Sequence, residues 1–173
     1  VNRKKRIGAA SGASVAQDKM AIEQGQEMID SFDLQYQKKI ELLRAQGKIN
    51  EAVALENKYY KDRDKLLAAN KQTKDIILSN YENSDGDVQK AYMTGTDKAV
   101  TKKYKGTVYE DMVPLAQSSV DDSQLTDKQK LSLKLEMESG NFDPNQMINL
   151  FKVFTDKADQ EVVLGMIGKF GGK

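Results

Sequence analysis

The fold of this chain is decided by the stretch from Leu42 to Glu56, which reads LLRAQGKINEAVALE. Apolar residues recur at helical spacing before and after it, whereas Gln46-Gly47-Lys48 interrupts the pattern. Glycine readily adopts the left-handed conformation that ends a helix, so Gly47 is predicted to form the helix turn. Because the connection is short, the two helices are expected to pack antiparallel as a hairpin.

Working outward from the turn, each helix carries a row of apolar residues at intervals of seven. This spacing places the members of a row on one helix face. In the second helix, Ala52, Tyr59 and Leu66 lie beside the row. The pattern predicts a coiled-coil-like seam that also serves for self-association, made of Val15, Ile22, Ile29, Phe32, Tyr36, Leu43, Val53, Tyr60 and Leu67.

The composition points to an elongated all-α protein without a reaction centre. Only 39% of the 173 residues are hydrophobic, 31% are charged, and Trp is absent. The lack of Cys and His excludes disulfides, zinc fingers and Ser-His-Asp triads within these residues. Paired carboxylates could serve glycoside hydrolysis, but here they lie in charged runs typical of a solvated face. The sequence therefore predicts no catalytic residue, no metal site and no cofactor.

The segment from 83 to 124 is predicted to be an irregular helical connector. Asn83, Asp85 and Asp87 alternate like calcium ligands, but the glycine and glutamate of an EF-hand loop are missing from the required positions, so a plain turn is favoured. Thr94-Gly95-Thr96 predicts a helix break, and Pro114 predicts a kink in a later helix. The lysines at 98, 102, 103 and 105 leave open a weak site for phosphate or an acidic partner.

The last 50 residues are predicted to form a small helical bundle. Thr126 and Gln129 match a capping box. The alternation of apolar and polar residues over 131–137 resembles a strand, but the residue types and the cap favour a helix. Asp143-Pro144 is typical of a further helix start. Near the end, either a buried bundle face or a membrane contact is expected for Val163, Met166, Ile167 and Phe170.

These patterns divide the chain into four parts: a flexible basic tail or linker (1–13), the hairpin (14–82), the connector (83–124) and the bundle (125–173). Residues 1–105 hold 20 Lys/Arg against 15 Asp/Glu, and residues 106–173 hold 7 against 11. The basic cluster at 3–6 is either a solvated tail or a contact for nucleic acid or anionic lipid. We expect no sequence-specific nucleic-acid binding. The sequence begins with Val1 and not with Met, and we expect the chain to be an excerpt of a longer protein.

The sequence around the hairpin turn resembles that of one protein family. A leucine pair, an Ala-x-Gly turn and a Glu-Ala-x-x-Leu-Glu run, at Leu42-Leu43, Ala45-Gln46-Gly47 and 51–56, resemble the helix-turn-helix passages of bacteriophage tail tape-measure proteins. The resemblance covers roughly residues 28–70. The same passage resembles a tetratricopeptide helix pair, but the second repeat expected there is missing.

The resemblance implies a long, helical virion protein that sets tail length, fills the tail tube or tip in several copies, and leaves during DNA ejection. Its implied partners are further copies of itself, with trimers and hexamers as candidates, tail-tube or tail-tip proteins, and a transient membrane contact. Its implied location is the phage tail, and the host cytoplasm during assembly. The alternative is a bacterial helical adaptor or secretion-associated module that binds a partner protein in the hairpin groove.

Overall fold

A computed structural model of the protein describes residues 12–156, 158–160, 162, 164 and 165. Within these residues the regular structure is entirely helical, which confirms the predicted all-α class. A short 3₁₀ turn at Glu110–Met112 precedes the fourth helix. The helices are α1 (Gly12–Ala45), α2 (Ile49–Glu82), α3 (Gly86–Tyr104), α4 (Val113–Asp121), α5 (Asp127–Glu138) and α6 (Pro144–Val153).

The first two helices form a long antiparallel hairpin. Each has 34 residues, which corresponds to about 50 Å at 1.5 Å per residue. Gly47 has a φ of +76° between them, a conformation that strains residues with a Cβ atom. The amide of Lys48 donates to the carbonyl of Leu43 at 2.9 Å and closes the end of α1.

The segment predicted to be irregular is more regular than expected. The predicted break at Thr94-Gly95-Thr96 is wrong, because α3 runs without interruption from Gly86 to Tyr104. The buried Thr96 hydroxyl donates to the Tyr92 carbonyl at 2.8 Å, and both residues lie on the packed face of the helix. Packing of this face therefore outweighs the low helix propensity of glycine and threonine.

Two residues in this segment, Asp85 and Pro114, lie at the starts of helices. Asp85 caps α3 by accepting a hydrogen bond from the amide of Val88 at 3.0 Å, so the 83–87 turn begins a helix. Pro114 lies in the first turn of α4, where its missing amide hydrogen costs nothing. The predicted kink at Pro114 is therefore wrong.

Helix α5 occupies the centre of the fold, which explains its strand-like alternation. Successive alternate residues of a helix lie about 200° apart, so they point to opposite faces. Leu131 and Leu135 belong to one apolar cluster, and Leu133 and Met137 belong to another. The alternation records burial on two opposite sides, and the helix prediction for 131–137 is confirmed.

The two apolar clusters cross the boundaries expected at 82/83 and 124/125. One cluster joins α1, α2, α3 and α5, and includes Ile22, Ile77 and Tyr92. The other joins α3, α4, α5 and α6 around Val100, Val120 and Met147. Helix α5 begins with the predicted capping box, and α6 begins at the predicted cap Asp143, which forms a capping box as well. The open end of the hairpin is thus part of the same packed unit as the later helices.

Candidate interaction sites

Helix α5 forms buried or partly buried ion pairs with four other helices. Lys19 of α1 pairs with Glu138, and Lys74 of α2 pairs with Glu136 at 2.9 Å. Lys134 pairs with Asp97 of α3 at 3.0 Å and with Asp121 of α4 at 2.6 Å. The side chains of Lys134, Glu136 and Glu138 are all at least nine-tenths buried.

Burial shifts the pKa values of several charged residues around α5. It raises the pKa of Glu138 and lowers the pKa of Lys19, and their mutual attraction only partly offsets either change. Burial also raises the pKa of Asp97 despite the nearby Lys134. Removing one partner would leave a buried charge unpaired at Lys134, Glu136 or Glu138, which is costly.

Sequence reasoning missed this set of charges, because it treated the charged residues as solvated. One signal was available: Lys74 occupies the seven-residue row that contains Val53, Tyr60 and Leu67. A charged residue on an otherwise apolar row indicates a buried partner elsewhere in the chain. The sequence does not reveal that this partner is Glu136.

We use the name hairpin arm for residues 31–66, the half of the hairpin next to the turn. Its interior contains Phe32, Tyr36 and Tyr59, whose ring centroids lie 4.5–5.6 Å apart. Asp33 accepts hydrogen bonds from the Tyr59 hydroxyl at 2.8 Å and from Arg63 Nε at 3.0 Å. This layer of rings and the Asp33–Arg63 ion pair thus contribute to holding the two helices together here.

The structure separates the nine predicted seam residues into three groups by exposure. Val15, Ile22 and Ile29 are buried, and a partly buried set comprises Phe32, Tyr36, Leu43 and Leu67. Val53 and Tyr60 lie outside the interface between α1 and α2, with 45% and 60% of their surface exposed. In α2 the hairpin interface instead uses the neighbouring row, in which Ala52 and Tyr59 are buried.

Helix α2 therefore carries two parallel rows, one residue apart. The inner row packs on α1 inside the chain. The outer row contains Val53, Tyr60 and Leu67, and toward the C-terminus it continues to Lys74 and Tyr81, which are covered by the rest of the fold. On the hairpin arm the same row is open to solvent. An exposed apolar row at this spacing is typical of a helix-packing surface.

A second candidate site is a cleft of about 260 Å³ between α1 and α3. Glu23, Glu27 and Asp30 lie on its α1 wall, at a spacing that places them on one helix face. Lys102 and Lys103 lie on its α3 wall, and the lining also includes Glu138 of α5. The lysines predicted as one patch at 98, 102, 103 and 105 are thus divided between this cleft and the exposed surface of α3.

The remaining predictions concern metal ions, membranes and the two ends of the chain. The residues described contain no group of three acidic, His or Cys side chains placed to hold a metal ion. No helix among them is long and apolar enough to cross a membrane. The basic cluster at 3–6 and the C-terminal contact residues Val163, Met166, Ile167 and Phe170 lie outside the described residues.

Comparison with known proteins adds no relationship. The sequence matches no protein-family profile, and neither a curated protein nor a solved structure is significantly similar to it.

Proposed function

We propose that this protein is a non-catalytic structural component of a bacteriophage tail, of the tape-measure or ejection type, that works by associating with further copies of itself. The observation that carries the proposal is the exposed apolar pair Val53 and Tyr60 on the hairpin arm, in a row that continues to the partly buried Leu67. A solvated helix has no need of such a row, whereas a helix that packs on a second chain does. The assignment to a virion rests on the resemblance of residues 42–56 to tape-measure sequences.

The arrangement of charge and apolar surface also favours assembly. On the arm, Asp33 is paired with Arg63, and Arg44 is paired with Glu56, so these four charges are already neutralised within the chain. A neighbouring copy could then cover the apolar row without leaving these charges unpaired. The packed unit around α5 would hold the hairpin in place while its arm contacts the next copy.

Sedimentation velocity of the full chain tests self-association. We expect the unmodified protein to sediment as an oligomer and Tyr60→Asp to weaken association at least tenfold, because the substitution places a charge on the row. Lys61→Asp is the matched control, since Lys61 is exposed, adjacent in sequence and outside the row. A monomer at high protein concentration, or equal effects of the two variants, would contradict this part of the proposal.

The virion assignment needs its own experiment. Mass spectrometry of purified particles of the phage that carries this gene should detect the protein in the tails. An in-frame duplication of residues 14–82 should lengthen the tails. Genes for tail tube and tail chaperones should be its neighbours. Absence from tails, together with neighbouring genes of a secretion system, would instead identify the helical adaptor predicted as the alternative.

A further inference from the structure

The hairpin carries an open groove on the side opposite to the outer row of α2. The groove lies between α1 and α2, has a volume of about 760 Å³, and includes Met28, Phe32 and Leu66 in its lining. Met28 is 60% exposed. Asp62, which also lines the groove, lies about 160° around α2 from Tyr60, because each residue turns the helix by about 100°. We use the name arm groove for this apolar concave surface.

The unpaired charges on the outer-row side of the hairpin are acidic. Asp64 lies one turn beyond Tyr60 on α2, and Asp30 and Glu41 each directly follow a buried isoleucine of α1, just as Tyr60 directly follows a buried tyrosine of α2. These three carboxylates are exposed, and none forms an ion pair within 4.0 Å in the described part of the chain. The two arginines on this side are already paired within the hairpin. A molecule that covers the outer row must therefore meet an acidic surface.

The arm-groove side of the hairpin carries unpaired basic residues. Lys65 lines the groove, Lys58 precedes it by seven residues, and Lys39 follows Phe32 by seven, so all three lie on this side. They are exposed and form no ion pair within 4.0 Å among the described residues. Two acidic residues also line the groove, so its charge is mixed far from the hairpin turn and basic toward it.

The opposite charges lie at matching levels along the hairpin. Asp64 and Lys65 are about 1.5 Å apart along the axis of α2, and Glu41 and Lys39 are about 3 Å apart along that of α1. Two copies that lie side by side in the same direction thus bring each carboxylate opposite a lysine of the other copy. Contact between two outer rows would instead bring two acidic sides together, and repulsion opposes that arrangement.

We propose that the outer row of one copy packs into the arm groove of the next copy, with the two hairpins side by side and in the same direction. This inference rests on the self-association proposed above and identifies the surface that receives the row. Tyr60 lies against Met28 and Phe32 of the neighbouring copy, and Asp64 pairs with its Lys65. Because the contact joins two different surfaces, each dimer keeps one free row and one free groove. Further copies therefore add until a ring closes or a filament grows.

Complementary variants of the full chain, compared by sedimentation velocity, test the proposal. Met28→Asp blocks the groove and Tyr60→Asp blocks the row, so each variant alone should associate at least tenfold more weakly than the unmodified protein. An equimolar mixture should form a heterodimer that does not grow, because the row of the Met28→Asp chain fits the groove of the Tyr60→Asp chain. Met20→Asp is the matched control, since Met20 is 55% exposed on α1 and lies outside the groove.

The outcomes separate this inference from the proposed function. If Met28→Asp associates like the unmodified protein and the mixture forms no heterodimer, the arm groove does not receive the row, although self-association itself stands. If the unmodified protein is a monomer at high concentration, both proposals are wrong.

An exchange of charges tests the direction of packing. Asp64→Lys and Lys65→Asp should each weaken association at least threefold, because each places like charges across the contact. The double variant Asp64→Lys/Lys65→Asp should associate within twofold of the unmodified protein, since every contact again joins a lysine to an aspartate. Asp111→Lys, at an exposed position in the 3₁₀ turn, controls for the change in net charge. Failure of the double variant to recover association would overturn the side-by-side arrangement.

Discussion

The packed unit around α5 and the hairpin arm are both rich in charge, but they use it differently. Around α5, charged side chains such as Lys74 and Glu136 are buried and paired between helices. On the arm, Arg44 and Glu56 pair across the hairpin while remaining partly exposed. Two helices alone bury one seam, whereas a helix surrounded by four others is buried on all sides. The number of neighbouring helices therefore decides what a charged residue contributes.

The buried pair Lys74–Glu136 gives the sharpest contrast with the arm. Glu136→Ala leaves the Lys74 ammonium unpaired and the Asn141 amide without its acceptor, so we expect a loss of about 3–5 kcal/mol in the free energy of unfolding. Denaturant unfolding monitored by circular dichroism measures it. Glu56→Ala, the matched change on the arm, should cost less than about 1 kcal/mol because its pair is solvated.

A double variant separates the cost of an unpaired charge from the worth of the pair. Lys74→Met combined with Glu136→Leu removes both charges and should recover most of the stability lost in Glu136→Ala. If the double variant is as unstable as the single one, the interaction itself, and not the unpaired charge, controls the stability of this region.

Leucine truncation compares apolar packing in the two regions. Leu131 is fully buried between α5 and the hairpin, and Leu42 on the arm is 58% exposed. We expect Leu131→Ala to cost about 2–5 kcal/mol, through lost burial and a cavity, and Leu42→Ala to cost less than about 0.5 kcal/mol. Thermal and denaturant unfolding provide the comparison. A large effect of Leu42→Ala would show that the arm surface is already covered in solution, for example by another copy.

Two tyrosines that donate to aspartates compare hydrogen bonding. The hydroxyl of the fully buried Tyr92 donates to Asp18 at 2.7 Å, and that of Tyr59 donates to Asp33 at 2.8 Å. Tyr92→Phe should cost about 1.5–3 kcal/mol, because Asp18 keeps only its hydrogen bond from Asn80, and Tyr59→Phe about 1 kcal/mol, because Asp33 keeps its bidentate contact with Arg63. Equal losses, measured by denaturant unfolding, would mean that the arm is as well shielded from water as the centre.

The pH dependence of stability should show the cost of burying Lys19 and Glu138. Because burial raises the pKa of Glu138 in the folded state, that group's contribution is greatest at low pH and declines as pH rises above about 4.5. Because burial lowers the pKa of Lys19, its contribution recovers as pH approaches about 10.5. Relative to Lys19→Met/Glu138→Leu, the unmodified protein should therefore be least stable at intermediate pH.

Denaturant unfolding of the unmodified protein and of the double variant across this pH range measures how the difference in their free energies of unfolding changes with pH. If the difference rose steadily from pH 4 to pH 7, attraction between the two groups would outweigh their burial, contrary to this expectation.

Local signals account for the parts of the fold that were predicted correctly. The capping box of α5 and the Asp143 cap of α6 each join residues three positions apart, so they can be recognised without knowledge of the remaining chain. The break predicted at Thr94-Gly95-Thr96 failed because Thr96 and its neighbours pack on distant helices, whose contribution local propensity does not include. The cleft could not be predicted, since its charged walls come from α1 and α3.

The sequence by itself determined the helical class, the hairpin and most helix ends, because each depends on residue spacing and on contacts over one helical turn. Only the tertiary structure decided which of two adjacent rows on α2 packs inside the chain, since Tyr59 and Tyr60 satisfy the same seven-residue spacing. It also decided which charges are buried. Lys74 and Lys61 are equivalent as residues in a helix, but only Lys74 lies where α5 supplies a carboxylate and excludes water.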